Sequence, residues 1–227
     1  MITYTLIRSK RKTTALYVRD DGVEVRAPLH MPKRDIDRFV MSKEEWIIEK
    51  LAILSERAES REGFSLDYGS FLPYKGVQYP IVPGDNGAGF DGKCFFMPPG
   101  LSEEQIKLVC VKIYRMLAKG FIPTRATMLS EKMSVSFTSV GITGAMKQWG
   151  SCTAKKRLNF SWRLIAADDD LIDYVIIHEL AHITELNHSA RFWDIVEREM
   201  PNYRECRDRL HEVHQTLLAL FSSTRTT

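Results

Sequence analysis

The chain has 227 residues, 44% apolar and 27% charged, with 32 basic against 29 acidic side chains. This excludes collagen-like, coiled-coil and disordered classes and leaves enough chain to bury a core without staples. The net charge of +3 is too small to establish nucleic-acid binding, and no apolar run approaches the ~20 residues that cross a bilayer. Cys94, Cys110, Cys152 and Cys206 stand far apart with no C-x-x-C, and Met1–Arg8 bears no mark of an export signal. Reduced thiols in a cytoplasmic protein are therefore expected.

In chain order, Tyr4–Ile7, Ala15–Val18 and Val23–Ala27 are β-prone, with Asp21-Gly22 as a two-residue hairpin signal between the last two. Ser42-Lys-Glu-Glu45 reads as a capping box. It predicts a helix over about 43–60 with Trp46, Ile47, Leu51, Leu54 and Ala58 at helical spacing. Residues 63–100 are rich in Gly and Pro, and Val77–Val82 and Lys93–Met97 within them predict a small β meander. A second capping box, Ser102-Glu-Glu-Gln105, opens a helix with Ile106, Val109, Cys110, Ile113 and Leu117 on one face, expected to stop at Gly120. Met133–Val140 alternates as a strand does. Ala145–Trp149 and Leu158–Trp162 flank the basic turn Thr153–Arg157 like a hairpin. Asp168-Asp-Asp170 can cap a helix from about Leu171, Ser189 a short helix ending before Pro201, and Asn202 a last helix to about Phe221. The order predicts an α+β fold. A β-rich region with one helix spans 1–100, and a unit of small sheet and helices spans 101–227.

Inside the helix after Asp170 stands His178-Glu-Leu-Ala-His182. Residues four apart share a helix face one turn (~5.4 Å) apart, so both imidazoles can converge on one Zn²⁺ and leave room for a third ligand and a water. Glu179 lies about 100° round the helix from His178, within reach of such a water without ligating the metal. The bland reading is a helix that happens to carry two histidines. Ile176, Ile177, Leu180 and Ala181 suit either a dry site or a plain core helix. Candidate third ligands are Glu185, His188, Glu197, Glu199, His211 and His214. His188 is the best placed. On a straight helix it would point about 240° away and lie ~9 Å further along the axis, so it reaches the metal only if the helix ends and the chain turns back. Asn187, tolerant of the left-handed conformation, is the expected pivot.

Trp149-Gly-Ser-Cys152, Asn159-Phe-Ser-Trp-Arg-Leu164, Asp173 to His182 and Asn187-His-Ser-Ala-Arg-Phe-Trp193 together resemble the YgjP-like metallopeptidase family, a relative of the WLM and SprT-like zinc peptidases. The resemblance runs from the N-terminal strands, where Asp21-Gly22, Ala27-Pro28 and Trp46 also fit, to about residue 215. It implies a zincin-like fold with one Zn²⁺ on His178, His182 and His188 and Glu179 as general base. Two departures stand out: Gln148 where a basic residue is expected, and Ala167-Asp168 where a proline is usual.

The implied function is a zinc-dependent peptidase acting on peptide or protein substrates. An edge strand within 133–162 would align the substrate, with Trp149, Gly150 and Ser151 as candidate contacts. Tyr203 is a candidate for stabilising the oxyanion, with ordinary packing as its bland reading. Cys152 lacks an evident activating partner and reads as a small buried hydrophobe rather than a nucleophile. Two other functions compete. Zinc closed by a fourth protein ligand, Glu185 or His211, would make a non-enzymatic interaction module. By analogy with the DNA-associated relatives, a protease of nucleic-acid-bound proteins would use the basic clusters Arg8–Lys12, Lys155–Arg157 or Arg204, Arg207 and Arg209, each of which a solvated face also explains.

Overall fold

A computed structural model describes residues 2–19, 22–52 and 66–221. The chain divides into two compact units, Met1–Phe64 and Ser65–Thr227. The division falls well before residue 100, because the strands of 71–97 share one core with the C-terminal helices.

The first unit holds β1 (Thr5–Ser9), β2 (Ala15–Arg19) and β3 (Gly22–Pro28) in the order β1-β3-β2. β2 and β3 pair antiparallel with Arg19 opposite Gly22, so Gly22 belongs to β3 rather than to the turn expected at Asp21-Gly22, and β1 runs parallel to β3. Residues 20 and 21 lie outside the described residues. Val23, Val25 and Ala27 alternate into the core against Ile36 and Val40 of α1 (Lys33–Met41), a helix the sequence reading missed. Its nine residues follow Pro32 with no side-chain cap, so the usual start signal is absent. The expected Ser42 capping box is not formed. Ser42 ends α1 and its hydroxyl donates to the Phe39 carbonyl. The next helix, α2, covers residues 44–52, with Ile47 buried but Trp46 and Leu51 exposed. The remainder of the expected 43–60 helix, including Leu54 and Ala58, lies outside the described residues.

The second unit opens with β4 (Phe71–Tyr74), β5 (Val77–Pro83), β6 (Gly89–Phe90) and β7 (Phe95–Met97). Their order is β4-β5-β7-β6. This is not the expected meander, because β7 lies between β5 and β6 and runs parallel to β5. The β4–β5 turn has positive φ at both Lys75 and Gly76, as two-residue hairpins favour. Its amides donate to the carbonyls of Ile165 and Ala166 at 3.0 and 3.1 Å. A Cβ on Gly76 would lie 2.8 Å from the Asp168 Cβ, so only glycine lets the hairpin tip approach so closely.

α3 (Glu103–Lys132) starts at the predicted box, with the Ser102 side chain and Gln105 capping each other. It does not stop at Gly120 but runs through Gly120 and Pro123 for 30 residues. Gly and Pro cost a helix interior roughly 1 and 3 kcal/mol. Ile122, Ala126 and Leu129 are buried beyond them, and that continuous apolar face outweighs the local penalty. Tyr114 of α3 stacks on Trp162, meets Phe95 and Phe221, and donates to the Pro73 carbonyl at 2.6 Å. It ties the helix to the small sheet and to the C-terminus.

The strand expected over 133–140 begins only at Ser139. β8 (Ser139–Thr143), β10 (Arg157–Ser161) and β9 (Gly150–Cys152) form a sheet ordered β8-β10-β9. Residues 133–135 instead finish α3. Ser134 takes φ +55°, and the amides of Ser134 and Val135 donate to the carbonyls of Glu131 and Ser130, the Schellman pattern. The hairpin also slips relative to expectation. Gly150 pairs with Phe160 and Cys152 with Leu158, so Ala145–Gln148 is not strand. After a 3₁₀ turn at Trp162–Ala166 come α4 (Asp169–Ala181), α5 (Ala190–Glu199) and α6 (Tyr203–Phe221). Asp168 and Ser189 cap α4 and α5 as expected.

Removing the Cβ from the left-handed Ser134 should relieve strain at the end of α3. Ser134→Gly is expected to gain about 0.5–1 kcal/mol, read as a higher urea midpoint at unchanged m-value.

Candidate active site

α4 is buried on nearly every side, including Leu171, Ile172, Val175, Ile176, Leu180 and Ala181. Its register is also locked by charge: Arg125 of α3 donates from Nε and Nη2 to both Asp173 oxygens at 2.7 and 2.5 Å. At its N-terminus Asp168 accepts from the Leu171 amide and pairs with Arg209. A carboxylate there also opposes the positive end of the helix dipole.

The helix ends at Ala181, with His182 as its C-cap. The amides of Ile183 and Thr184 donate to the carbonyls of Leu180 and Ala181, and Glu185 also donates to Ala181. These bonds tighten the last turn and reverse the chain. The reversal needs no left-handed residue, since Asn187 is not among the described positions with positive φ. The expected pivot is therefore replaced by a right-handed turn over 182–184.

This return brings His188 back over the helix. The nitrogens of His178, His182 and His188 lie within 4.8 Å of one another. Ring centroids are 4.7 to 5.0 Å apart, and Nε2 of His188 is 3.0 Å from Nε2 of His178. Nδ1 of His182 is 3.0 Å from the Glu185 carbonyl. That contact makes Nδ1 the donor and leaves Nε2 free to bind an ion. Nδ1 of His178 is buried and has no hydrogen-bond partner among the described residues. Burial, then His182 and His188, push the His178 pKa down to about 3, and burial chiefly lowers His182. Neutral imidazoles with unused nitrogens fit a divalent metal. Phe192 and Trp193 pack against the cluster.

Among the described residues no fourth His, Cys, Asp or Glu joins this group. Glu185 approaches through its backbone carbonyl, while Glu197 pairs with Arg204 and Glu199 with Arg198 and Lys132. His211 and His214 line a cavity of about 410 Å³ that reaches His178 and Glu179.

Glu179 is buried beneath the edge strand β9, where a Cβ on Gly150 would come within 2.7 Å of its Cγ and Oε1. Glycine is therefore needed at 150 for close approach. Burial raises the Glu179 pKa to about 7, against a lowering hydrogen bond from the Cys152 amide. The Cys152 thiol is half-buried, and burial and Glu179 raise its pKa, which disfavours the thiolate a nucleophile needs.

Trp149 and Gly150 line the cavity, and so do Gln148 and Lys147. Ser151 sits opposite Asn159 in the sheet. Tyr203 is buried, stacks on Trp193 at 5.2 Å and does not line the cavity. Tyr174, one turn before His178, does line it. Spacing alone pointed to Tyr174 at i−4 from the first histidine, a signal the sequence reading passed over.

Three converging imidazoles beside a buried carboxylate on an α+β scaffold are features of a metallopeptidase. The model of the YgjP-like family, metallopeptidase domain, matches residues 12–213, and the chain belongs to that family. It is accordingly a hydrolase of the metallopeptidase class. Among solved structures, the chain is similar to the metallopeptidase zymogen abylysin of Pyrococcus abyssi, at 20% identity and a TM-score of 0.38, over 40% of this chain and 93% of that one. It is also similar to the zymogen jannalysin of Methanocaldococcus jannaschii, at 22% identity and a TM-score of 0.37, over 42% and 96%. No curated protein matches the chain.

Gly150→Ala is expected to force Glu179 from its place. It should cost about 1–3 kcal/mol of stability by overpacking, measured by thermal unfolding, and a crystal structure should show the carboxylate displaced.

Proposed function

We propose that this protein is a zinc-dependent peptidase in which His178, His182 and His188 hold one Zn²⁺ and Glu179 is the general base. The observation that carries this reading is the three-histidine cluster, with all ligand atoms within 4.8 Å and an acidic side chain buried beside it. Zinc on three protein ligands supplies a Lewis acid that polarises a carbonyl and acidifies water. Glu179 accepts the proton of the attacking water and returns it to the leaving amine. The reading is supported by Glu179 lying against β9, an edge strand among the described residues. An extended peptide that adds to β9 along Trp149, Gly150 and Ser151 would present its scissile bond to that base.

A closed structural zinc site has less support, because Glu185 and His211 are not in the ligand cluster. Nucleic acid has no specific support either. Arg204 and Arg209 each lie against an acidic side chain, and no described helix is long and apolar enough to cross a membrane.

Two measurements test the reading. Zinc at about 100 times its Kd should add about 2.7 kcal/mol to the stability of metal-stripped protein, and His188→Ala should abolish that shift. Glu179→Gln should retain zinc by elemental analysis while lowering peptide hydrolysis by about 10²- to 10⁴-fold. Undiminished turnover would remove Glu179 as the base.

A further inference from the structure

The cavity beside the histidine cluster has features that peptide-bond cleavage alone does not require. α6 contributes Arg207, Leu210, His211 and His214 to its wall. These positions run i, i+3, i+4, i+7 and so form one stripe of the helix. Lys147, on the loop before β9, lines the cavity as well. That loop is held in place from below: buried Arg163 donates to the carbonyls of Gly144 and Ala145 at 3.4 Å, and the Ser161 hydroxyl donates to Ala145 at 2.9 Å. The only acidic side chain in the described lining is Glu179. Asp208 is 3.6 Å from the Arg207 guanidinium, but it is highly exposed and outside the lining. Trp149, Val175 and Leu210 supply apolar surface to the same cavity.

Resting on the peptidase reading above, we infer that this cavity is a specificity subsite for a carboxylate of the substrate, held by Lys147 and Arg207. A guanidinium and an ammonium on a partly apolar wall favour a carboxylate over a neutral or cationic group. An ionised Glu179 repels a carboxylate beside it, which leaves Lys147 and Arg207 as its partners in the lining. The carboxylate has two sources, an acidic side chain or the peptide's own C-terminus.

The test is peptide binding to the full chain carrying Glu179→Gln, so that substrate persists. Matched peptides differ by Glu or Gln at one position, each with a free or an amidated C-terminus. Affinity is expected to be at least about fivefold higher with the recognised carboxylate, and the preference should fall as salt rises. Loss of the preference on amidation assigns the C-terminal carboxylate; loss on Glu-to-Gln replacement assigns the side chain. Lys147→Glu combined with Arg207→Glu, both at exposed positions, should abolish the preference or reverse it towards a Lys-bearing peptide. Equal or undetectable affinities, or a preference that survives the double reversal, overturn the inference. Wild-type protein that cleaves peptides without discrimination removes this subsite alone. Retained binding preference with no cleavage removes the peptidase reading alone.

Discussion

The site depends on where α4 stops. The amides of Ile183 and Thr184 bond the carbonyls of Leu180 and Ala181 three residues back, a 3₁₀-type tightening of the last turn, and the chain then folds back. Seven residues after Ala181, Nε2 of His188 meets Nε2 of His178 at 3.0 Å. Had the helix run on through residue 188, His188 would have pointed about 240° away from His182. The same reversal places the Glu185 carbonyl on Nδ1 of His182, so one backbone turn both recruits the third imidazole and sets the tautomer of the second.

A turn of this kind is useful only if the helix feeding it cannot shift. α4 is held laterally by apolar burial, by the bidentate Arg125–Asp173 pair, and at its start by Asp168 and Arg209. The Lys75-Gly76 hairpin tip adds contacts just before the helix, with its amides on the carbonyls of Ile165 and Ala166 and Lys75 Nζ 3.0 Å from Asp169. His178, and His182 as the C-cap, thus rest on a firmly held element. Glu179 is fixed differently, by the Cys152 amide and by close contact: the absent side chain of Gly150 is the space the carboxylate occupies.

Around this centre the protein is asymmetric. Aromatic rings of Phe192 and Trp193 enclose the histidines on the α5 side, whereas towards α6 a cavity opens past Glu179 with Lys147 and Arg207 in its wall.

The sequence by itself determined the parts that are local. The paired histidines one helical turn apart, the Asp168 and Ser189 caps, the Ser102 box and the β2–β3 pairing all follow from spacing and from short-range hydrogen bonds. The motif blocks around residues 149–193 also carried the family. Tertiary structure decided what depends on distant partners. α3 passes through Gly120 and Pro123 because its buried face continues beyond them, and residues 133–135 cap that helix rather than pair as a strand. Residues 71–97 join the second unit through a shared core. Gly150 is needed because Glu179, 29 positions later in the chain, lies against it. Periodicity reports which face a residue takes on its own element; only packing reports what that face meets.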